Sequence, residues 1–410
     1  MNTQHSQIAS WSKKATLAGV VGFSLVLAGC SGGSGGNNAA PDASGELCAD
    51  GTITLGSAKA LSGGFAFYDT AGSNAEELAV EQINAEGGIN GCEIELVTQD
   101  TKSDPAVGRQ VASELIAAGA EVLLPPNQGG LGTPAALVAQ KEGIFSMAGS
   151  SEDDYAPGVG ALFATGGSMA SLNGKTAAAF AKEQGYDSVY YVTNDAYPYF
   201  TIVERLFRED AGDDMDDLGS SVLKPGQTDF SAVISDIKRS VGEADNPMIL
   251  LATQYPDAPT MIAQLRKAGV ETPVVGNATW ATRNIVDALD GHTDNVFYTA
   301  GAYTEGEDVS EAAQAYVEKY KEKTGTYPEN HQAVESYWSM WALFDAIKTA
   351  NSTDGAAIEK ALFAQKDVEL PMRTVYEWKD GHILGSNVVV GFTPEGAFEQ
   401  VGSYNLTDGE

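Results

Sequence analysis

From residue 52 onward, short β-branched and apolar runs alternate with longer stretches whose apolar positions recur every three or four residues. That is the pattern of strands feeding helices that cover a parallel sheet. It predicts strands at 53–58, 93–98, 122–124 and 144–147, with helices at 71–85 and 106–118 between them. In the second of these helices Val107, Val111 and Leu115 share one face, and Gly87-Gly88 and Gly119 stand where helix ends are expected. After about Gly167 a second series begins. Helices at 172–184, 201–210 and 258–268 alternate with extended runs at 189–193, 248–253 and 273–276. Three further helices, 310–323, 331–350 and 353–363, precede an extended, glycine-punctuated tail over 374–404. The expected fold class is α/β, with two doubly wound lobes in sequence.

The N-terminus reads as an address. Lys13 and Lys14 precede an apolar run, 17–27, too short to span a bilayer comfortably and flanked as a secretory signal is. It ends in Leu27-Ala28-Gly29-Cys30, which resembles the bacterial lipobox, in which the cysteine is lipidated and becomes the mature N-terminus. Residues 1–29 are therefore expected to be a lipoprotein signal peptide. Residues 30–51, rich in Gly, Ser, Asn and Ala up to about 45, are expected to be a tether holding the protein to the extracytoplasmic face of the cell membrane. Cys48 and Cys92 remain, and in an exported protein such an isolated pair is expected to form a disulfide. If the first two strands are parallel neighbours, both cysteines sit at one edge of the sheet, within reach of each other.

Composition narrows the function. The 410 residues are 43% hydrophobic and 20% charged, which excludes a wholly disordered chain and a polytopic membrane protein. A formal charge of -32 argues against nucleic acid as a partner, because phosphate binding needs clustered positive charge. Three Cys and four His, scattered along the chain, give no metal cluster, and no cofactor is expected. Gly130-Leu131-Gly132-Thr133-Pro134-Ala135, with Glu152 to Asp154 about twenty residues on, leaves a remote NAD-dependent enzyme as an alternative, but the motif lies in the third βα unit rather than the first. Gly174-Lys175-Thr176 has no phosphate loop ahead of it, and Asp213-Asp214-Met215-Asp216-Asp217 lacks the spacing of a calcium loop. No nucleophile elbow or HExxH helix is present, so binding rather than catalysis is expected.

The stretch from Ile53 to Pro105 carries a more specific signal. A strand leads to Leu61-Ser62-Gly63, then Tyr68 ahead of the first helix, then Ile83-Asn84-Ala85-Glu86-Gly87-Gly88-Ile89 at its end, and Asp100 five residues before Pro105. In this order the elements resemble the leucine/isoleucine/valine-binding protein family of ABC importers. Gln254-Tyr255-Pro256-Asp257 through Gly269 keeps the register of that family's second lobe, and the resemblance covers about residues 52–400. It implies a type I periplasmic-binding fold joined by three crossings. Lobe one would comprise 52–167 plus 304–372, and lobe two 168–303 plus 373–410.

The resemblance also implies a ligand site. It assigns an aromatic contact to Tyr68, carboxylate or amide contacts to Gly149, Ser150 and Ser151, and cleft positions in lobe two to Tyr197, Tyr255 and Trp280. Two departures stand out. Asn127-Gln128-Gly129-Gly130 replaces a loop that supplies a Ser hydroxyl in relatives, leaving Gln128 and the Gly129 backbone to serve. Ala278 stands where the family places the acid for an α-ammonium. Since an ammonium buried without a carboxylate is costly, the pocket is expected to suit a neutral amide, a urea-like molecule or an organic acid, unless the run Glu152-Asp153-Asp154 supplies a displaced acid. The expected partners are that small solute, an ABC permease with its cytoplasmic ATPase, and the membrane through the lipid anchor, with the protein itself a monomer. The same fold also serves as a ligand-sensing receptor module, which stays open as an alternative.

Overall fold

In the computed structural model, which describes residues 47–155, 160, 162–306 and 309–405, the chain opens with β1 (Thr52–Lys59), α1 (Ala66–Ala85), β2 (Glu93–Asp100), α2 (Pro105–Ala117), β3 (Val122–Leu124), α3 (Gly129–Lys141), β4 (Phe145–Ala148) and β5 (Phe163–Thr165). The alternation then repeats through α4 (Ala170–Glu183), β6 (Ser188–Asn194), α5 (Pro198–Ala211), β7 (Asp216–Leu223), α6 (Ser231–Val241), β8 (Pro247–Ala252), α7 (Asp257–Lys267), β9 (Val274–Gly276), α8 (Asn284–Ala288) and β10 (Val296–Ala300). Helices α9 (Glu311–Thr324), α10 (His331–Ala350) and α11 (Gly355–Phe363) follow, and the chain returns through β11 (Val368–Leu370), β12 (Arg373–Lys379), β13 (His382–Phe392) and β14 (Phe398–Asn405). The expected signal peptide and Cys30 lie outside the described residues.

The strand order is β2-β1-β3-β4-β5-β13-β10-β9-β8-β6-β7. Read within each half, β1 to β5 and β6 to β10 share one doubly wound order, in which the second strand lies outside the first and the third follows on its other side. β13 belongs to both halves: His382 pairs with Thr165 of β5, and Val388, Val389 and Val390 pair with β10. The pleat of each strand feeds two cores. Tyr190 and Val192 of β6 pack with α6 and α7 through Ile234 and Ile262, whereas Val189 and Tyr191 face α4 and α5 through Phe180 and Phe207. Ile53 and Leu55 likewise face α1 and α10, while Ala58 meets α2 and α3 on the other side. Each such apolar side chain contributes roughly 1.5–3 kcal/mol on burial.

Several elements depart from the pattern-based expectation for identifiable reasons. β7 lacks the apolar run of the inner strands because it is an edge strand, paired among the described residues with β6 alone. The aspartates at its start are engaged by neighbouring cations, Asp217 by Arg208 at 2.6 Å and Asp214, just before the strand, by Lys182 at 3.3 Å. The extended tail is a working part of the sheet, with β13 at its centre. The loop expected at Asn127-Gln128-Gly129-Gly130 gives way to helix at Gly129 because Gln128 caps α3, its Oε1 accepting from the Leu131 N–H at 2.9 Å.

Cys48 and Cys92 are bonded, with Cα atoms 6.1 Å apart, a closeness that the parallel pairing of Thr52 with Glu93 allows. Leu47 and Cys48 pack on the core, and the Glu93 N–H donates to the Gly51 carbonyl at 2.9 Å. Residues 47–51, expected to be the end of the tether, therefore belong to the fold. Replacing Cys48 with Ser is expected to cost about 2–4 kcal/mol in denaturant unfolding. Two free thiols in the intact mass of the unmodified protein would contradict the bond.

Candidate functional site

Ligands of open α/β sheets lie beyond the carboxyl ends of the strands where the strand order reverses. Here the reversals fall between β1 and β3 and between β6 and β8, and the loops leaving these strands meet around one cavity of about 540 Å³. The first half contributes Gly64, Phe65, Phe67, Tyr68 and Asp69 at the start of α1, Asn127 and Gln128 before α3, and Ser150, Ser151 and Glu152 after β4. The second half contributes Tyr197, Tyr199 and Phe200 at the start of α5, Gln254, Tyr255 and Pro256 before α7, and Thr279. His331 and Gln332, the first residues of α10, close the wall.

A buried polar network holds the first-half loops in place. The Lys59 Nζ, fully buried at the end of β1, pairs with Glu76 at 2.7 Å and donates to the Pro125 carbonyl at 2.9 Å. Asp69 accepts from the Ala60 and Asn127 N–H groups at 2.8 and 3.0 Å, and the Asn127 Oδ1 accepts from the Gly149 N–H at 3.1 Å. Burial pushes both Asp69 and Glu76 up, with the Lys59 charge pulling each back. The Glu152 Oε2 accepts from the Gly129 N–H at 2.7 Å, and its Oε1 accepts from Gln128 Nε2 at 3.4 Å. Burial lifts Glu152 to about 7. This contact depends on Gly129 having no side chain, because a Cβ there would stand 2.3 Å from the Glu152 Oε2. His331 is drawn down to about 4 by burial, so it is neutral, and its ring meets Tyr68 edge-on at 5.8 Å. Among the described residues that line the cavity there is no Lys or Arg.

Of the residues singled out from the sequence, the structure brings Tyr68, Gln128, Ser150, Ser151, Tyr197 and Tyr255 to this cavity. Four others lie behind it. Trp280 is fully buried in the core beneath α6 and α7, where its Nε1 donates to the Thr253 carbonyl at 2.7 Å; that bond turns the ring inward, away from any ligand. Ala278 is buried at the start of the same 3-10 turn. Gly149 admits α10, since a Cβ there would come within 2.9 Å of the Ser336 Cα. Gly129 serves the site through its N–H to Glu152. The expected wall of Tyr and Trp is thus revised to one of Tyr and Phe, and the cavity carries two carboxyl groups, Asp69 and Glu152. His331, Gln332, Thr279, Gln254, Asp69 and the Phe residues were not singled out. All but His331, Gln332 and Asp69 fall inside loops the strand pattern marked, while the α10 pair is signalled only by Asn330, whose Oδ1 caps the helix from the Gln332 N–H at 2.9 Å.

The sequence profile of the family described as periplasmic binding protein matches residues 52–391. The chain is similar to a Leu/Ile/Val-binding protein homolog 1 of Brucella abortus, at 23% identity over 351 residues, 80% of this chain and 91% of the relative. Among solved structures it resembles the branched-chain amino acid transporter substrate binding protein LivJ of Streptococcus pneumoniae in complex with isoleucine, at 24% identity and a TM-score of 0.72, covering 87% of this chain and 99% of that one. It also resembles a solute binding protein of an ABC transporter from Rhodopseudomonas palustris in complex with 3,4-dihydroxy benzoic acid, at 16% identity and a TM-score of 0.74, covering 88% and 99%. The last two likenesses carry the fold. The family match sets a binding protein in place of the nicotinamide-dependent enzyme considered from the glycine motif.

Proposed function

The chain belongs to the periplasmic binding protein family, and from that premise we propose that it captures a small organic solute in the cleft and delivers it to an ABC permease driven by a cytoplasmic ATPase. The observation that carries this reading is one cavity of about 540 Å³ walled by loops from both halves of the sheet, which is a suitable size for a small organic guest. In the proposed mechanism the lobes are 52–167 plus 304–372 and 168–303 plus 373–410, with the boundary in the tail moved into β13, since Val375, Trp378 and Ile383 pack in the same core as Ile53 and Leu55. The solute docks on one lobe, the other adds its contacts, and the closed form is preferred by the difference in affinity between the two states. Hinge closure around a ligand is general among periplasmic binding proteins. Support for a hinge comes from the few segments that cross: 166–169, 301–306 and β13 itself, which pairs with β5 at one end and β10 at the other. A lipid on Cys30 would hold the protein at the outer face of the membrane; among the described residues no helix is long and apolar enough to cross it. No bond in the solute is made or broken.

A thermal-shift screen over amino acids, amides, urea, polyamines and aromatic acids tests the reading, because a solute at a hundred times its Kd stabilises the native state by about 2.7 kcal/mol. For a solute so identified, Tyr68→Ala is expected to weaken binding about tenfold or more, the loss of roughly 1.5–3 kcal/mol of aromatic contact. Ser150→Ala removes the hydroxyl that accepts the Glu152 N–H at 3.2 Å, and a smaller loss is expected. Unchanged affinity in calorimetry for both variants would remove the cleft as the binding site.

A further inference from the structure

We infer that the solute carries a cationic nitrogen, received by the Glu152 carboxylate within a wall of aromatic rings. The inference rests on the solute-binding reading above and narrows it to a class of ligand.

Glu152 is a carboxyl group at the cavity wall whose hydrogen-bond partners are both neutral, the Gly129 N–H and the Gln128 amide. A carboxylate withdrawn from water calls for a counter-charge. Among the described residues none supplies one to this wall: no described Lys or Arg lines the cavity, His331 is neutral, and the Lys59 charge is committed to Glu76 and the Pro125 carbonyl behind the loop. The second acid at the wall, Asp69, already lies within the field of the Lys59 charge, whereas no cation of the protein acts on Glu152, which leaves Glu152 as the group to meet a cationic ligand.

The remaining wall favours the same charge. Phe67 and Tyr68 from one half face Tyr197, Tyr199, Phe200 and Tyr255 from the other, and aromatic faces attract cations, more strongly once both are desolvated. Gln332 is more than nine-tenths buried at this wall, and its Oε1 accepts no hydrogen bond. It is therefore an acceptor available to an N–H. An organic acid would instead set a second carboxylate beside Glu152 with no cation between them, a like-charge arrangement that drives one of the two to take up a proton.

The charge also fixes the direction of the pH response. The titratable groups around Glu152 are Asp154 beside it, Tyr155 against the Pro126 carbonyl, Asp69 on α1 with Lys59 behind it, and Glu335 beyond Ser151. Glu152 is lifted by burial to about 7, so a cation must draw off its proton on binding. Affinity for a cation then rises as pH rises through that value, whereas affinity for an acid falls.

The test compares benzylamine, benzyl alcohol and benzoate, three probes of one shape and three charges, together with leucine. Binding is measured by calorimetry on the full mature protein at about pH 6 and about pH 8. Benzylamine is expected to bind best of the three, to gain affinity with pH, and to lose about tenfold or more in Glu152→Gln, which keeps an oxygen for the Gly129 N–H. Should that variant fail to fold, the pH series on the unmodified protein decides alone. If the three aromatic probes do not bind but leucine does, the response of leucine to Glu152→Gln decides, a loss supporting the inference and indifference overturning it. Benzoate outranking benzylamine, or benzylamine affinity unchanged in Glu152→Gln, overturns the cationic solute while leaving solute capture intact. No binding by any probe, with no hit in the wider screen, overturns both.

Discussion

Replacing Lys59 with Met is expected to cost the fold about 3–5 kcal/mol, the penalty for removing one partner of a buried ion pair. Lys59 and Glu76 are both almost wholly buried and 2.7 Å apart, and Asp69 lies within the same charge's influence. Without the ammonium, the two carboxyl groups face each other with only neutral donors, among them the Ser57 hydroxyl on Glu76 at 2.8 Å. Burial already holds both acids above the ordinary carboxylate range, and the variant pushes them further. An acid whose folded pKa is raised loses stability as pH rises from its unfolded value to its folded one, so the deficit is expected to be smaller at acidic pH than near neutrality. Urea unfolding at two pH values measures it, and a Lys59→Met protein within about 1 kcal/mol of the unmodified one would show that the pair is dispensable. The double replacement Lys59→Met with Glu76→Gln is expected to recover part of the loss, because it removes one of the stranded charges.

Unfolding free energy is also expected to fall by on the order of 5 kcal/mol between about pH 4.5 and pH 8 through a single residue, Glu335. Its Oε2 accepts from the Ser151 hydroxyl at 2.5 Å and its Oε1 from the Ser168 N–H at 3.0 Å, at the place where the chain crosses from β5 to α4. Burial raises Glu335 to about 8, with the two hydrogen bonds and the charge of Arg373 only partly offsetting it. The folded state therefore keeps a proton that the unfolded state has released, and stability declines through this window as pH rises. Glu335→Gln mimics the protonated form, offering an oxygen to Ser168 and an N–H to the Ser151 hydroxyl, and is expected to flatten this part of the profile. Parallel profiles for the two proteins would mean that Glu335 is ionised in the native state. Since Ser151 lines the cleft and Ser168 donates to Asn387 of β13 at 2.8 Å, the same proton bears on how the two halves are joined.

What could be read in advance followed local rules. α10 begins and ends where the pattern placed it, because Asn330 caps its start and Asn351 leaves it in the left-handed region at φ 46°. The loops that carry Tyr68, Ser150, Tyr197 and Tyr255 were legible as strand-to-helix turns, and the doubly wound order sends such turns to one edge. As a sequence, Glu152, Asp153 and Asp154 are three like acids, any of which could supply the displaced acid. In the folded chain they part company: Glu152 turns inward to the Gly129 N–H, Asp153 accepts from the Ser171 N–H at 3.0 Å, and Asp154 stays exposed. Nothing within that tripeptide encodes the difference, because the space for Glu152 is made by a glycine more than twenty residues away.

The alternation of strands and helices, the paired cysteines and the family were all legible along the chain, because periodicity, capping and motif order are properties of neighbours in sequence. Which side chains face the cleft was settled only by folding. Trp280 was turned into the core by the Thr253 carbonyl, and His331 and Gln332 were carried to a wall shared with Tyr68, more than 260 residues earlier, by the docking of α10 against α1. A side chain's orientation is set by the partners that meet it once the chain has folded, and those partners lie far away in sequence.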